Sequence, residues 1–133
     1  MALAPGQYAI TWGAGNANVG RIAADEPDNM GPKPVMVGPD TAPLWVVGET
    51  PGGRRVLATR NTLVDKIGGR VFGLLQVPPN APDWDIVTVN GGFRVVHPSG
   101  LVWTVPAGAL PVQITLAEDV DGAGQVFNFV PAE

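Results

Sequence analysis

A single histidine, His97, and no cysteine in 133 residues leave little material for nucleophilic catalysis. A Ser/His/Asp or Cys/His set would have to be built on that one imidazole. His97 is followed by Pro98 and Ser99, which reads as a strand end entering a turn. Two carboxylate groupings could serve as acid and base. Asp83 and Asp85 alternate outward around Trp84, and Glu118, Asp119 and Asp121 lie in a polar loop. Neither setting would split a pair of pKa values. Asp119, Asp121 and Asn128 offer hard oxygens to a cation but lack the count and rigid spacing of a calcium loop. The expectation is a protein that is not an enzyme, with no metal site and no cofactor.

Binding chemistry is better supplied, by loops. In the stretch from Asp25 to Pro32, Pro27 and Pro32 bracket Asp28, Asn29, Met30 and Gly31. Proline fixes its own φ and restricts the residue before it, so such a loop can hold one side chain forward with little entropy left to lose. The same residues also suit a plain turn, since Asp28 and Asn29 can bond their own backbone and Gly31 accepts a left-handed conformation. A second stretch, ATRNTLVDK, offers Arg60, Asn61, Thr62 and Leu63 in a segment read as a loop from Asn61 to Asp65, equally a solvated hairpin end. Gly13-Ala14-Gly15 and Asn90-Gly91-Gly92 read as hairpin turns.

The elements that must carry these loops are short strands. PLWVV at Trp45, PDWDIV at Trp84 and QVFNF at Phe127 repeat one pattern, an aromatic with an apolar residue two places on, at intervals of 39 and 43 residues. That is the length of a unit of four short strands with their turns. Each unit opens on a glycine ahead of an aromatic or branched strand, at Gly6, Gly53 and Gly92. GQYAITW alternates Tyr8, Ile10 and Trp12 on one face, and further strands are expected around Val19 to Ile22 and Val35 to Val37. RRVLATR and GRVFGLLQV supply the second unit, and GFRVVHP, GLVWTV, PVQITLA and QVFNFV the third. No segment sustains a helical period. Twelve short strands in three four-strand repeats, roughly 6–47, 48–87 and 88–130, predict an all-β chain forming one β-trefoil domain over residues 1–133. Trp45, Trp84 and Phe127 are then expected in the core, while Trp12 and Trp103 are left open.

Composition fits that reading. Eighteen glycines and fourteen prolines are too many for long helices and suit a chain of tight turns. The apolar share of 45% opposes disorder. The net charge of −4, with the basic residues scattered, excludes a nucleic-acid footprint. The uncharged run from His97 to Ala117 approaches the length of a membrane span but is broken by Pro98, Pro106 and Pro111, so no membrane partner is expected. Without cysteine, rigidity must come from packing and proline. The start MALAPGQY lacks the charged and apolar regions of a secretion signal, so a cytoplasmic or vacuolar location is expected.

PGQYAI, NVGRIAADEPDN, GPKPVMV and PLWVV in succession resemble the fungal β-trefoil protease inhibitors of mushrooms, the mycospin-like serine protease inhibitors. The most specific part runs from Gly20 and Arg21 through Asp25 and Glu26 to Pro32-Lys33-Pro34, and the similarity covers nearly the whole chain. The resemblance implies inhibition of a trypsin-like serine protease by a monomer, through an exposed loop between the second and third strands. An Asn at the pocket position of that loop would match Asn29. In the second stretch, Arg60 would suit an acidic trypsin-like pocket, Asn61 an asparaginyl cysteine protease and Leu63 a chymotrypsin-like one. Related trefoils also imply a cysteine-protease mode through a glycine hairpin, where Gly13-Ala14-Gly15 stands. The alternative is a carbohydrate-binding trefoil lectin. Its signature, a Gln two residues before the marker aromatic, survives only as Gln125 before Phe127, with Pro43 and Pro82 at the other two places.

Overall fold

The computed structural model describes residues 3–13, 17–21, 31–39, 42–60, 62–75, 82–89, 91–120 and 122–132. Fourteen strands are found among them: β1 (Gly6–Trp12), β2 (Ala17–Gly20), β3 (Lys33–Pro34), β4 (Met36–Gly38), β5 (Trp45–Glu49), β6 (Arg55–Thr59) and β7 (Thr62–Ile67), followed by β8 (Arg70–Leu74), β9 (Asp85–Val89), β10 (Gly92–Val96), β11 (Val102–Thr104), β12 (Val112–Gln113), β13 (Thr115–Ala117) and β14 (Phe127–Pro131). The only helical turn among the described residues is Ala123–Gln125. The all-β expectation holds, and no described helix is long and apolar enough to cross a membrane.

Six strands close on themselves. β1 pairs with β5, β5 with β6, β9 with β10, β10 with β14 and β14 with β1, all antiparallel. The remaining seam, β6 to β9, is made by Arg55 and Trp84, which exchange two backbone hydrogen bonds of 2.7 Å. A closed ring has no free edge along which another chain could add. The other eight strands form three layers: β2 with β4, to which β12 adds, β7 with β8, to which β3 adds, and β11 with β13.

Those layers meet in a cycle. Val35 N–H donates to the Val71 carbonyl at 3.1 Å, Val71 N–H to Ile114 at 3.1 Å, and Ile114 N–H back to Val35 at 2.9 Å. All three side chains are fully buried. This cycle corrects two expectations. The sequence pattern predicts one strand from Val35 to Val37 and another over PVQITLA; instead Val35 separates β3 from β4 and Ile114 separates β12 from β13. Each turns its backbone toward the cycle rather than along a ladder, which gives fourteen segments where twelve strands were expected. A third correction concerns residues 61–65. Thr62 to Asp65 lie in β7, where Thr62 and Val64 are buried in alternation, because the β6–β7 connection needs only two residues between paired Thr59 and Thr62. Strand β2 also begins and ends earlier than expected, at Ala17 and Gly20.

Trp45, Trp84 and Phe127 are fully buried, as expected, and Trp103 stands among them. Its ring centroid lies 5.6 Å from that of Trp45, 5.8 Å from Trp84 and 5.6 Å from Phe127. The Trp45 indole donates to the Val19 carbonyl at 2.7 Å and that of Trp84 to Val64 at 3.0 Å. Across the hairpins Val19 faces Val37, Val64 faces Gly73 and Trp103 faces Leu116, so Trp103 occupies the place that valine holds in the other two layers. The smaller Phe127 compensates for that bulk. It offers no N–H, and the Trp103 Nε1 itself has no acceptor. At Gly92, φ is +157° and an added Cβ would lie 2.5 Å from the Phe127 carbonyl, so only glycine fits.

Candidate functional site

Pro27, Asp28, Asn29 and Met30 of the first candidate loop, and Asn61 of the second, lie outside the described residues. What the structure shows is how the two stretches are founded. The chain leaves β2 at Gly20 into Arg21 and re-enters the sheet at Gly31, Pro32 and Lys33. Arg21 and Lys33 are both buried, which is unusual for cations and marks both as anchors rather than surface groups.

Both anchors meet β8 at one glycine. Lys33 pairs with Gly73, and a Cβ added to Gly73 would stand 2.9 Å from Arg21 Cδ and 2.7 Å from Thr62 Oγ1. The absence of a side chain at Gly73 therefore makes room for the Arg21 stem and the Thr62 hydroxyl together. Arg21 Nη1 donates to Thr62 Oγ1 at 3.3 Å, and that hydroxyl donates to the Thr59 carbonyl at 2.6 Å. The foot of the first loop is thus bonded to the hairpin of the second.

Among the described residues of the second stretch, Arg60 is exposed, with φ at +50°, while Thr62 is buried and Leu63 half-buried in β7. Left-handed backbone at a residue other than Gly, Asn or Asp is costly and sparsely populated. It lets Thr59 and Thr62 face each other across a two-residue connection. In the glycine hairpin, Gly13 has φ of +72° and is exposed; Ala14 and Gly15 lie outside the described residues.

The groups considered for chemistry are engaged in structure. His97 Nδ1 accepts the Ser99 backbone N–H at 3.0 Å and lies 2.9 Å from Ser99 Oγ. Its ring meets that of Trp84 edge-on at 5.5 Å. Burial, with Lys66 and Arg54 nearby and outweighing Asp65 and Asp83, holds its pKa below 6.5. Asp83 pairs with Arg54 at 3.3 Å and Asp119 with Arg94 at 3.4 Å. Asn128 Nδ2 donates to the Gly13 carbonyl at 3.4 Å, and Asp121 lies outside the described residues.

Gln125 is also a clamp. Its amide donates to the Glu118 carbonyl at 2.7 Å and to Thr104 Oγ1 at 3.3 Å, while its oxygen accepts the Val120 N–H at 3.0 Å. The one remnant of a lectin signature is buried, and so are all three marker aromatics that would stack on a sugar.

The description of peptidase inhibitor I66 matches residues 1–122. The chain belongs to that family. It is therefore a member of a family of peptidase inhibitors and not an enzyme. No curated protein matches it in sequence. Among solved structures, this I66 member is similar to a proteinase inhibitor from Coprinopsis cinerea at 24% identity and a TM-score of 0.83, over 98% of this chain and all of that one. It is also similar to the Rhizoctonia solani agglutinin at 16% identity and a TM-score of 0.74, over 99% of each chain. A Polyporus squamosus lectin aligns at 16% identity and a TM-score of 0.72, over 97% of this chain and half of the lectin. These three likenesses concern the fold, which inhibitors and lectins share, and function has to be argued from the site.

Three residues that found the site were not singled out in the sequence for this role. At either end of the candidate loop, Arg21 follows β2 and Lys33 opens β3, and Gly73 interrupts a Val-Phe-Leu run. A cation or glycine inside an otherwise apolar strand pattern is the signal that could have pointed to them.

Proposed function

We propose that this I66 inhibitor acts on trypsin-like serine proteases from a β-trefoil scaffold of three four-strand units. The reactive loop is Pro27 to Gly31, with Asn29 as the side chain offered to the primary pocket. The closed six-strand ring and the Val35–Val71–Ile114 cycle support the trefoil reading. The observation that carries the functional reading is the double anchoring of the loop, through buried Arg21 at one end and buried Lys33 at the other, both against Gly73.

That foundation matters because an inhibitory loop must survive attack. A protease that opens the peptide bond of a loop with fixed ends leaves the new termini in place, where they can rejoin. Fixed ends also reduce the entropy lost on binding. Pro27 and Pro32 add local stiffness to the ends that Arg21 and Lys33 hold.

The test is a residual-activity titration of the purified protein against trypsin, chymotrypsin, papain and an asparaginyl endopeptidase, with Asn29→Ala in parallel. Inhibition of trypsin alone, removed by that substitution in a folded variant, is the result expected. Inhibition confined to papain or the asparaginyl enzyme would refute the serine-protease reading.

A further inference from the structure

The register of three strands places the Arg60 hairpin beside the end of the proline-bracketed loop. Gly73 of β8 pairs with Lys33 on one side and with Val64 on the other. β3 and β7 both run antiparallel to β8, so the chain before Lys33, the chain after Leu74 and the start of β7 at Thr62 all lie toward the same end of these strands. Adjacent strands lie about 4.8 Å apart, which sets Lys33 and Val64 about 10 Å apart with Gly73 between them. The other end of the loop reaches the same place, through the 3.3 Å contact of Arg21 with Thr62. At this edge Arg60 and Leu75 are exposed.

We infer that Arg60 and Leu75 form a second ridge of the protease-binding surface, contacted by the same protease that takes the Asn29 loop. The inference rests on the proposed function of that loop. A stable interface covers about 800 Å² on each partner, a patch roughly 30 Å across. A protease centred on the loop therefore reaches well past a feature about 10 Å from its foot. The ridge has the chemistry of an interface: a guanidinium and an apolar side chain, both exposed at one edge of the sheet. The left-handed backbone at Arg60 strengthens the assignment, because a long basic side chain is held where Gly or Asn would be cheaper. The partner that fits is a serine protease whose cleft rim offers carbonyl or carboxylate acceptors next to a small apolar patch. Arg60 is in this arrangement a flanking contact, not a rival to Asn29 for the primary pocket.

The chain contains no cysteine, so one can be introduced and labelled uniquely. Arg60→Cys coupled to a maleimide-linked polyethylene glycol should weaken trypsin inhibition by at least roughly tenfold, with an unchanged melting temperature. Arg70→Cys carrying the same label should inhibit like the parent protein, since Arg70 is exposed at the opposite end of β8. Unlabelled Arg60→Ala should weaken inhibition by a smaller factor, about threefold to tenfold, the scale of a contact outside the hot spot. If the labelled Arg60→Cys and Arg70→Cys proteins inhibit equally while Asn29→Ala relieves inhibition, the ridge is refuted and the loop stands. If the Arg60 label abolishes inhibition while Asn29→Ala leaves it intact, the hairpin is the primary site and the shared surface is wrong. Failure of the parent protein to inhibit trypsin would overturn the proposed function and this inference together.

Discussion

Arg21 Nη1 stands 3.3 Å from Thr62 Oγ1, a buried bond between residues 41 apart in sequence. It joins the foot of the Asn29 loop to the β6–β7 hairpin and passes over Gly73, where no side chain could be accommodated without displacing one of the two. Thr62→Val keeps the volume but removes both the acceptor for Arg21 and the donor to the Thr59 carbonyl. A buried hydrogen bond to a charged group contributes about 1.5–3 kcal/mol and a neutral one about 0.5–1.5 kcal/mol, so denaturant unfolding should show a loss of at least about 2 kcal/mol. Trypsin inhibition should weaken further than the stability change alone explains, because the loop loses one fixed end. Gly73→Ala should reproduce both effects by steric displacement.

The indoles of Trp45 and Trp84, which bond to carbonyls, should be less replaceable than that of Trp103, which has no acceptor. Trp45→Phe deletes a 2.7 Å bond to the Val19 carbonyl, whereas Trp103→Phe removes an N–H that has no acceptor. Both substitutions shrink the core by the same atoms. Trp45→Phe should therefore be the costlier by about 0.5–1.5 kcal/mol, the net contribution of a typical hydrogen bond. Equal losses in chemical denaturation would contradict this role for the Trp45 indole.

His97 should make the protein less stable in mild acid. Its folded pKa lies below the unfolded 6.5, chiefly because burial disfavours the cation and Lys66 adds repulsion. Between the two values the unfolded chain binds more protons than the folded one, so stability rises with pH across that window. It should fall as pH drops below about 6.5 and level off, for this group, once the folded pKa is passed. The protonated ring would also present a donor from Nδ1 to the Ser99 N–H, opening the turn from His97 to Leu101. Melting temperatures of the parent and His97→Gln between pH 7.5 and 5 check this; the variant should lose the slope in that window.

Much of the architecture was legible because its signal is local. The aromatics at Trp45, Trp84 and Phe127, with an apolar residue two places on, report strands that bury one face, and all three are buried. The strands beginning at Gly6 and Gly92 were equally plain from alternation after a glycine. What failed to show is non-local. The segment after Asn61 reads as a loop because Asn, Thr and Asp favour turns, yet pairing of Leu63 with Leu74 and Val64 with Gly73 imposes a strand. Trp103 gave no sign of lying at the centre, since its neighbours Trp45, Trp84 and Phe127 arrive from three separate stretches of the chain. The breaks at Val35 and Ile114 arise from a hydrogen-bond cycle among residues 36 and 43 positions apart. At the site, the proline brackets of the loop could be read directly, whereas its anchors Arg21, Lys33 and Gly73 acquire meaning only once β3, β7 and β8 lie side by side.

The most direct measurement is an equilibrium titration of trypsin with the parent protein and with Asn29→Ala, both verified as folded by their melting temperatures. A reactive Asn29 predicts saturable inhibition by the parent at near-stoichiometric ratio and a loss of at least roughly a hundredfold in the variant, the scale of a hot-spot residue in an interface. Equal inhibition by the two proteins would contradict the assignment of Asn29 as the residue that enters the protease.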